Sequence, residues 1–176
     1  IMMAWGIPSL ISGEHLRKII LFPAGILFIA ALSFITWNQC RYWNNSITVF
    51  DHAIQVTKNN YLAHLNLGSA MIEQGIIEDA IKHYNETLRL KPDYAEVYYN
   101  NGYAYFKTSQ YEQSINSYSK AIIHKPHYAD AYSNRGFVYL NTGNIKSGCR
   151  DAKKACELGS CKLLKAAISK GDCKTD

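Results

Sequence analysis

The sequence predicts an all-α chain in which one long apolar helix is followed by a solenoid of stacked helix pairs. The main observation is a set of glycines spaced 34 residues apart, namely Gly68, Gly102 and Gly136. Small residues recur at the same interval, at Ala80, Ser114 and Gly148 and again at Thr87, Ala121 and Ala155. The third observation is the stretch 19–37, which contains no charged residue. A fixed period with repeated residue types is typical of stacked repeats.

The N-terminal part reads as a membrane segment. Residues 1–18 are predicted to be membrane-proximal or interfacial, because 1–12 is mostly apolar. Residues 19–41 are predicted to form a transmembrane helix, since about 20 apolar residues span a bilayer core. Trp37 lies at the far end of this stretch, where interfacial aromatic residues are common. A cleaved signal peptide and a buried helix of a soluble domain are the alternatives.

The flanking charges suggest an orientation for this segment. Arg17 and Lys18 precede it, whereas Arg41 alone follows it closely. Basic residues favour the cytoplasmic side. The repeats are therefore expected on the non-cytoplasmic side, in a periplasm, cell exterior or lumen, and the lipid bilayer is an expected partner. Because the chain begins with Ile1 rather than Met, we expect it to be part of a longer protein.

Residues 42–176 are predicted to form one repeat domain. A leading helix at 43–57 precedes three helix pairs, which we place at 61–94, 95–128 and 129–157. Glycine lets the two helices of a pair approach closely, and Tyr84 or Tyr118 fills the remaining space. Pro92 and Pro126 end two of the pairs, because proline cannot continue a helix interior. A capping helix is expected at 161–170, where lysines give the end of the stack a polar face.

The period and the order of residue types resemble the tetratricopeptide (TPR) repeat. That resemblance implies antiparallel helix pairs and a function in binding rather than in catalysis. The chain also resembles the end of the TPR-bearing polytopic glycosyltransferases related to protein O-mannosyltransferases. This likeness rests on the last hydrophobic span and on 42–50 (YWNNSITVF), 60–64 (NYLAH) and 66–68 (NLG). In that family the catalytic acidic residues lie in an early outer loop that has no counterpart here. The resemblance therefore implies a non-catalytic piece of such a protein.

A polar ladder is the main candidate for function. Asn66, Asn100 and Asn134 each lie two residues before a repeat glycine, at a position that faces the concave side of a TPR superhelix. An amide can both donate to and accept from a peptide backbone. Apolar residues expected on the same face are Leu62, Leu65, Ile72, Tyr99, Tyr103, Phe106, Phe137 and Leu140. The alternative is that each asparagine bonds within its own repeat.

Four of the five cysteines lie near the C-terminus. If the last repeat helix and the capping helix form a hairpin, Cys156 comes close to Cys161, and Cys149 to Cys173. Disulfide bonds between these pairs are expected in an oxidising compartment. Free thiols and a metal site are the alternatives, although the spacing is not that of paired zinc ligands. Cys40 is left without a partner in this scheme.

The remaining features argue against other functions. The net charge of +5 is concentrated in the C-terminal cap, without the aromatic or groove-entering elements of a nucleic-acid reader. The six histidines are scattered, and neither a phosphate loop nor a nucleophile elbow is visible. We therefore predict no enzyme, no cofactor, no metal and no nucleic acid. The predicted function is a membrane-anchored TPR module that binds extended protein or peptide segments. A glycosyltransferase tail that recruits substrate and an assembly scaffold for a folded partner are the alternatives.

Overall fold

The computed structural model describes residues 14–42 and 45–174, and every regular element within them is an α-helix. The chain divides into two compact units between Thr48 and Val49. The first unit contains the 29-residue helix α1, Glu14–Tyr42. Its described side chains, at 23–38 and at Cys40, are all exposed. Most of the predicted interfacial segment, residues 1–13, lies outside the described residues.

The predicted membrane localisation is contradicted. Within the part of the chain that the structure describes, no helix combines the length and the apolar character needed to cross a membrane. The transmembrane helix at 19–41, the lipid partner and the non-cytoplasmic placement of the repeats therefore have no support.

The second unit contains the repeats, and the prediction of an all-α TPR solenoid is confirmed there. The boundary between the two units falls within α2 (Ser46–Val56), most of which belongs to the second unit. The helices that follow are α3 (Tyr61–Glu73), α4 (Ile77–Leu90), α5 (Ala95–Lys107), α6 (Tyr111–His124), α7 (Ala129–Asn141), α8 (Ile145–Glu157) and α9 (Lys162–Lys170). The pairs are α3 with α4, α5 with α6, and α7 with α8. The first helix of each later pair also packs on the second helix of the preceding pair, and α9 packs on α8. Residues 43 and 44 of the predicted leading helix lie outside the described residues.

Local sequence explains where these helices begin and end. The side chains of Asn60 and Asn144 cap α3 and α8 by accepting a hydrogen bond from the backbone N–H three residues later. Gly75 and Gly143 follow α3 and α7 with a positive φ of 79°. Glycine adopts this left-handed conformation without a Cβ penalty, so it ends a helix at low cost. Ser109, with φ 60°, takes the same place after α5.

The core of each pair depends on close approach at the repeat glycine. A Cβ on Gly102 would lie 2.8 Å from the Tyr118 ring, and one on Gly68 would lie 2.8 Å from the Tyr84 ring. Both tyrosines are fully buried. In the third pair the corresponding residue is Ala152, and Gly136 lies instead against the backbone and side chains of α8 and α9. The third pair is therefore completed by α9 rather than by an aromatic ring.

The C-terminal cysteines connect α8 to the segment that follows it. Cys149 and Cys173 form a disulfide bond whose Cα atoms are 5.6 Å apart. Cys156 and Cys161 form another, with Cα atoms 3.9 Å apart, across the turn between α8 and α9. The first Cα distance is typical of disulfides and the second is shorter than the usual range. Cys40 is a free, exposed thiol.

Candidate peptide-binding groove

The candidate groove is built on the first helices of the second and third pairs. Tyr99, Tyr103 and Phe106 recur on α5 at spacings of four and three residues, so they share one face of that helix. Phe137 on α7 meets this face, since its ring packs edge-to-face on Phe106 at 5.6 Å between centroids. The sequence therefore places an aromatic surface on neighbouring repeats rather than within a single pair.

A pocket of about 210 Å³ opens in this aromatic surface. Its lining residues are Tyr103, Phe106, Tyr118, Asn134, Phe137 and Val138. Phe137 is 47% exposed and Tyr103 is 37% exposed, which is high for large aromatic side chains. Exposed aromatic residues around a small polar group are typical of binding sites, where they supply contact area and the polar group supplies orientation.

The three predicted asparagines have different environments. Asn66 is exposed, whereas Asn100 and Asn134 are half-buried. Asn134 Nδ2 donates a hydrogen bond to the Tyr99 hydroxyl at 3.0 Å, and this bond crosses from the third pair to the second. Part of the hydrogen-bonding capacity of Asn134 is therefore used inside the protein. Its amide still lines the aromatic pocket.

The other predicted groove residues divide into two groups. Leu62 is 47% exposed, whereas Leu65 and Ile72 pack against the core cluster around Tyr84. Leu140 lines a second pocket of about 130 Å³ between α7 and α9, together with Phe137 and Leu163. Of the predicted groove residues, the structure brings four together in the aromatic pocket: Tyr103, Phe106, Asn134 and Phe137. Asn100, Leu140 and the predicted residues of the first pair do not line that pocket.

The end of the groove near Tyr99 carries negative charge. Tyr99 packs against Tyr128, with ring centroids 5.0 Å apart. Burial, followed by the neighbouring Tyr99, Glu96 and Asp130, raises the pKa of Tyr128 to about 12. Burial also raises the pKa of Tyr99. Both hydroxyls therefore stay protonated at neutral pH and remain hydrogen-bond donors.

One charge at this end is already paired. Glu96 Oε1 accepts a hydrogen bond from Lys125 Nζ at 3.0 Å, and this bond is the main reason why the pKa of Glu96 is lowered. An exposed pair of this kind is worth at most about 1 kcal/mol. A charged group of a ligand can therefore replace one partner of the Glu96–Lys125 pair at little cost in free energy.

Sequence reasoning missed three residues of the site. Tyr118 and Val138 line the aromatic pocket from below, and Tyr128 extends the aromatic surface beyond Tyr99. The sequence predicted only that Tyr118 fills the space between the two helices of its pair. Its ring lies 5.7 Å from that of Tyr99, so it belongs to the core and to the pocket at once. The signal available in the sequence was that Tyr118 lies 34 residues after Tyr84, at the same position of the next helix pair.

The aromatic pocket is lined mainly by aromatic rings, together with one amide group. Among the residues that the structure describes, no group of three or more metal-ligating side chains could hold an ion. Two histidines, His64 and His83, do lie close together, with their Nδ1 atoms 3.0 Å apart. That pair lies in the first helix pair and shares no lining residue with the aromatic pocket.

Known proteins share the repeat and the fold. A sequence profile of the TPR repeat matches residues 69–109 and 102–143. The protein O-mannosyl-transferase Tmtc2 of Drosophila melanogaster is 28% identical over 100 residues, which is 57% of this chain and 10% of that protein. A protein O-mannosyl-transferase of Caenorhabditis elegans is 27% identical over 71 residues, 40% of this chain. This chain spans about a tenth of the length of both relatives.

Solved structures resemble the repeat domain. The crystal structure of MamA superposes with a TM-score of 0.64 at 27% identity, covering 71% of this chain and 77% of that one. The TPR domain of Arabidopsis OM64 superposes with a TM-score of 0.61 at 22% identity, covering 64% of this chain and 96% of that domain. The second likeness shows a shared fold alone.

Proposed function

We propose that this tetratricopeptide-repeat protein binds an extended polypeptide segment along the face formed by α5 and α7. The observation that carries the proposal is the open aromatic pocket around Tyr103, Phe106 and Phe137, with the Asn134 amide in its wall. An apolar side chain of the ligand enters the pocket. Asn100 and Asn134 then form hydrogen bonds with the ligand backbone on either side of it.

Asn134 has a particular role in this proposal. Because its Nδ2 donates to the Tyr99 hydroxyl, its Oδ1 is oriented by the neighbouring pair. A fixed acceptor loses little conformational freedom on binding, so its hydrogen bond to a ligand N–H is more favourable. Asn66 is exposed and lacks such support, and it should contribute least.

The test is a binding measurement with a peptide selected from a random 12-residue library. Each neutral hydrogen bond contributes about 0.5–1.5 kcal/mol, so a single Asn→Ala variant should weaken binding several-fold. The triple variant of Asn66, Asn100 and Asn134 should weaken it by roughly a hundredfold. The loss should be similar for peptides of unlike sequence, because the contact is to backbone.

The matched controls lie outside the groove. Lys162→Ala and Lys165→Ala change exposed residues of α9 and should leave the affinity unchanged. Circular dichroism checks that the triple variant is folded. If that folded variant binds its peptides as tightly as the parent, the asparagines are structural and the groove proposal fails.

A second candidate is that the groove presents acceptor polypeptides to a glycosyltransferase. Its support is the likeness to two protein O-mannosyl-transferases. Replacing the matching segment of the Drosophila protein by this chain's repeats would test it. Retained transfer of mannose, lost again with the triple asparagine change, is the expected result; activity that is indifferent to the asparagines would exclude this role.

A further inference from the structure

A second candidate site lies between α4, α5 and α6, on a different stripe of α5 from the aromatic groove. A cavity of about 350 Å³ is present there. Tyr98, Asn101 and Tyr105 line it from α5 at spacings of three and four residues, while Asn85 lies on α4 and Ser117 on α6. The lining is rich in amides and hydroxyls, whereas the groove pocket is aromatic.

Asn101 is the central residue of this cavity. It is only 3% exposed, and its Nδ2 donates to Asn85 Oδ1 at 2.9 Å. Its Oδ1 accepts no hydrogen bond from the residues that the structure describes. A buried acceptor without a donor is unfavourable, so a ligand that supplies an N–H to this oxygen gains affinity from that hydrogen bond.

The chain shows what such a ligand looks like, because the third pair fills the equivalent space with its own side chain. Arg135 lies 34 residues after Asn101. Its guanidinium donates to Asp151 at 2.7 and 3.0 Å and to Ser119 Oγ at 2.8 Å. Its Cζ lies 5.6 Å from the ring centroid of Tyr132 and 6.0 Å from that of Tyr139.

The two frames correspond residue by residue. Tyr132 and Tyr139 lie one repeat after Tyr98 and Tyr105, Ser119 lies one repeat after Asn85, and Asp151 lies one repeat after Ser117. In the third pair, this frame holds a planar group with N–H donors between two tyrosines. In the second pair the residue at this position is the shorter Asn101. One face of the Tyr98 ring is covered by the parallel ring of His124, with centroids 5.3 Å apart. A planar group from another molecule therefore has the other face of Tyr98 and the ring of Tyr105 to pack against.

The charges around the cavity of the second pair determine which planar group fits it. The place of the Asp151 carboxylate is taken by the neutral Ser117. Lys120 also lines the cavity, with its ammonium 5.5 Å from the Tyr98 ring centroid. A guanidinium would therefore meet a positive charge without a carboxylate to balance it. A neutral planar group with both a donor and an acceptor avoids this cost, because its oxygen can accept from Lys120.

We infer that the cavity binds a primary carboxamide, the side chain of a glutamine or asparagine in a polypeptide partner. The carboxamide N–H donates to Asn101 Oδ1, and its oxygen accepts from the Lys120 ammonium. The planar group lies between the rings of Tyr98 and Tyr105, as the guanidinium does in the third pair. This site is separate from the aromatic groove and does not depend on peptide binding there.

The test uses short peptides and the side-chain amide NMR signals of Asn85 and Asn101. The probe is Gly-Gly-Gln-Gly-Gly with an acetylated N-terminus and a C-terminal methylamide, so that glutamine carries the only primary carboxamide. Matched peptides carry Ala, Arg or Glu in its place. We expect saturable shifts with the glutamine peptide and at least about tenfold weaker binding of the other three.

A filled-cavity variant provides the structural control. Asn101→Arg combined with Ser117→Asp copies the ion pair of the third pair into the second. This variant should stay folded by circular dichroism, bind the glutamine peptide at least about tenfold more weakly, and retain the affinity of the groove for its selected peptides.

Three results would overturn the inference. If no peptide gives saturable shifts, the cavity holds solvent only. If the arginine peptide binds more tightly than the glutamine peptide, the site prefers a cation to a carboxamide. If the filled-cavity variant binds glutamine as well as the parent, the ligand lies elsewhere.

Discussion

The second and third helix pairs are built on one frame and use it differently. Tyr98 and Tyr105 in the second pair are matched by Tyr132 and Tyr139 in the third. Between them, the second pair leaves a cavity beside Asn101, whereas the third pair is filled by the Arg135 guanidinium. Two side chains at equivalent positions, Asn101 and Ser117 in one pair and Arg135 and Asp151 in the other, thus decide whether this space is a cavity or is filled by an ion pair.

The first pair is a third variant of the same frame. His64 corresponds to Tyr98, Leu67 to Asn101, and His83 to Ser117. The two imidazoles are paired through their Nδ1 atoms, and their ring centroids are 5.3 Å apart. The three pairs thus place different chemistry on this frame. The first has an imidazole pair, His64 with His83; the second has an amide pair, Asn101 with Asn85; and the third has an ion pair, Arg135 with Asp151.

The largest expected effect comes from breaking the ion pair of the third repeat. Arg135→Leu would leave the Asp151 carboxylate, which is 2% exposed, without its partner. Removing one member of a buried pair typically costs about 3–5 kcal/mol. The free energy of unfolding, measured with urea, should fall by that amount.

The matched control is Asn101→Leu in the second pair, which copies Leu67 of the first. It removes one neutral hydrogen bond and should change the free energy of unfolding by no more than about 1.5 kcal/mol. If the two variants lowered the free energy of unfolding equally, the buried ion pair would contribute no more than the amide pair, and this difference between the second and third pairs would be wrong.

Removing one C-terminal disulfide at a time gives the next largest effects, and these act on the third pair and on α9. In the chain-entropy description a crosslink is worth more when it closes a longer loop. The sequence separations are 24 for Cys149–Cys173 and 5 for Cys156–Cys161. These correspond to about 3.5 and about 2 kcal/mol.

Serine replacement of each cysteine pair separates the two contributions. The Cys149/Cys173 variant should lose more stability than the Cys156/Cys161 variant. Mass spectrometry of non-reduced peptides establishes the pairing itself. Four free thiols in protein recovered from an oxidising compartment would contradict it.

Replacing the repeat glycines by alanine compares helix packing in the two pairs. A Cβ on Gly102 would lie 2.8 Å from atoms of the Tyr118 ring, which is buried and cannot move aside. Overpacking of this kind costs about 1–3 kcal/mol. At Gly136 the nearest atoms are 3.1 Å away, so Gly136→Ala should cost less. Thermal unfolding of both variants measures the difference, and a larger loss for Gly136→Ala would contradict this account.

The sequence predicted the repeat frame well because backbone geometry repeats with the same period as the residue types. Glycine spacing and the buried tyrosines are local consequences of helix packing, so they can be found by counting. The ion pair was missed, although a signal existed: Arg135 and Asp151 replace two neutral residues, Asn101 and Ser117, at once. Two opposite charges that appear together at inner positions of one repeat indicate a pair.

Other features could not be derived from the period. Asn66, Asn100 and Asn134 are the same residue type at the same repeat position, but their environments differ. Asn66 is exposed, whereas Asn134 donates a hydrogen bond to the Tyr99 hydroxyl of the preceding pair. The membrane prediction rested on an uncharged apolar stretch and on the residues that flank it. These features do not repeat along the chain, so no second copy of the pattern was available to check them. That localisation was wrong, because among the described residues no helix is both long enough and apolar enough to span a bilayer.

The smallest expected effect concerns pH and the imidazole pair of the first repeat. Burial, followed by the charge of neighbouring His64, lowers the pKa of His83; Asp79 and Asp51 oppose this shift, and Lys82 adds to it. A folded-state pKa below the unfolded value of about 6.5 means that the unfolded chain binds more protons. Stability is therefore complete above about pH 6.5 and falls as the pH drops through the folded pKa. The loss should be less than about 1 kcal/mol, because His83 is only half-buried and solvent screens its charge.

Urea unfolding at pH 7.5 and pH 5 measures this loss of stability. His83→Gln should reduce the difference between the two pH values, whereas His127→Gln, at an exposed turn, should not. If stability rises on acidification and His83→Gln abolishes the rise, the imidazole pair favours the protonated form. Burial then does not control the protonation of His83, and this account of the first pair is wrong.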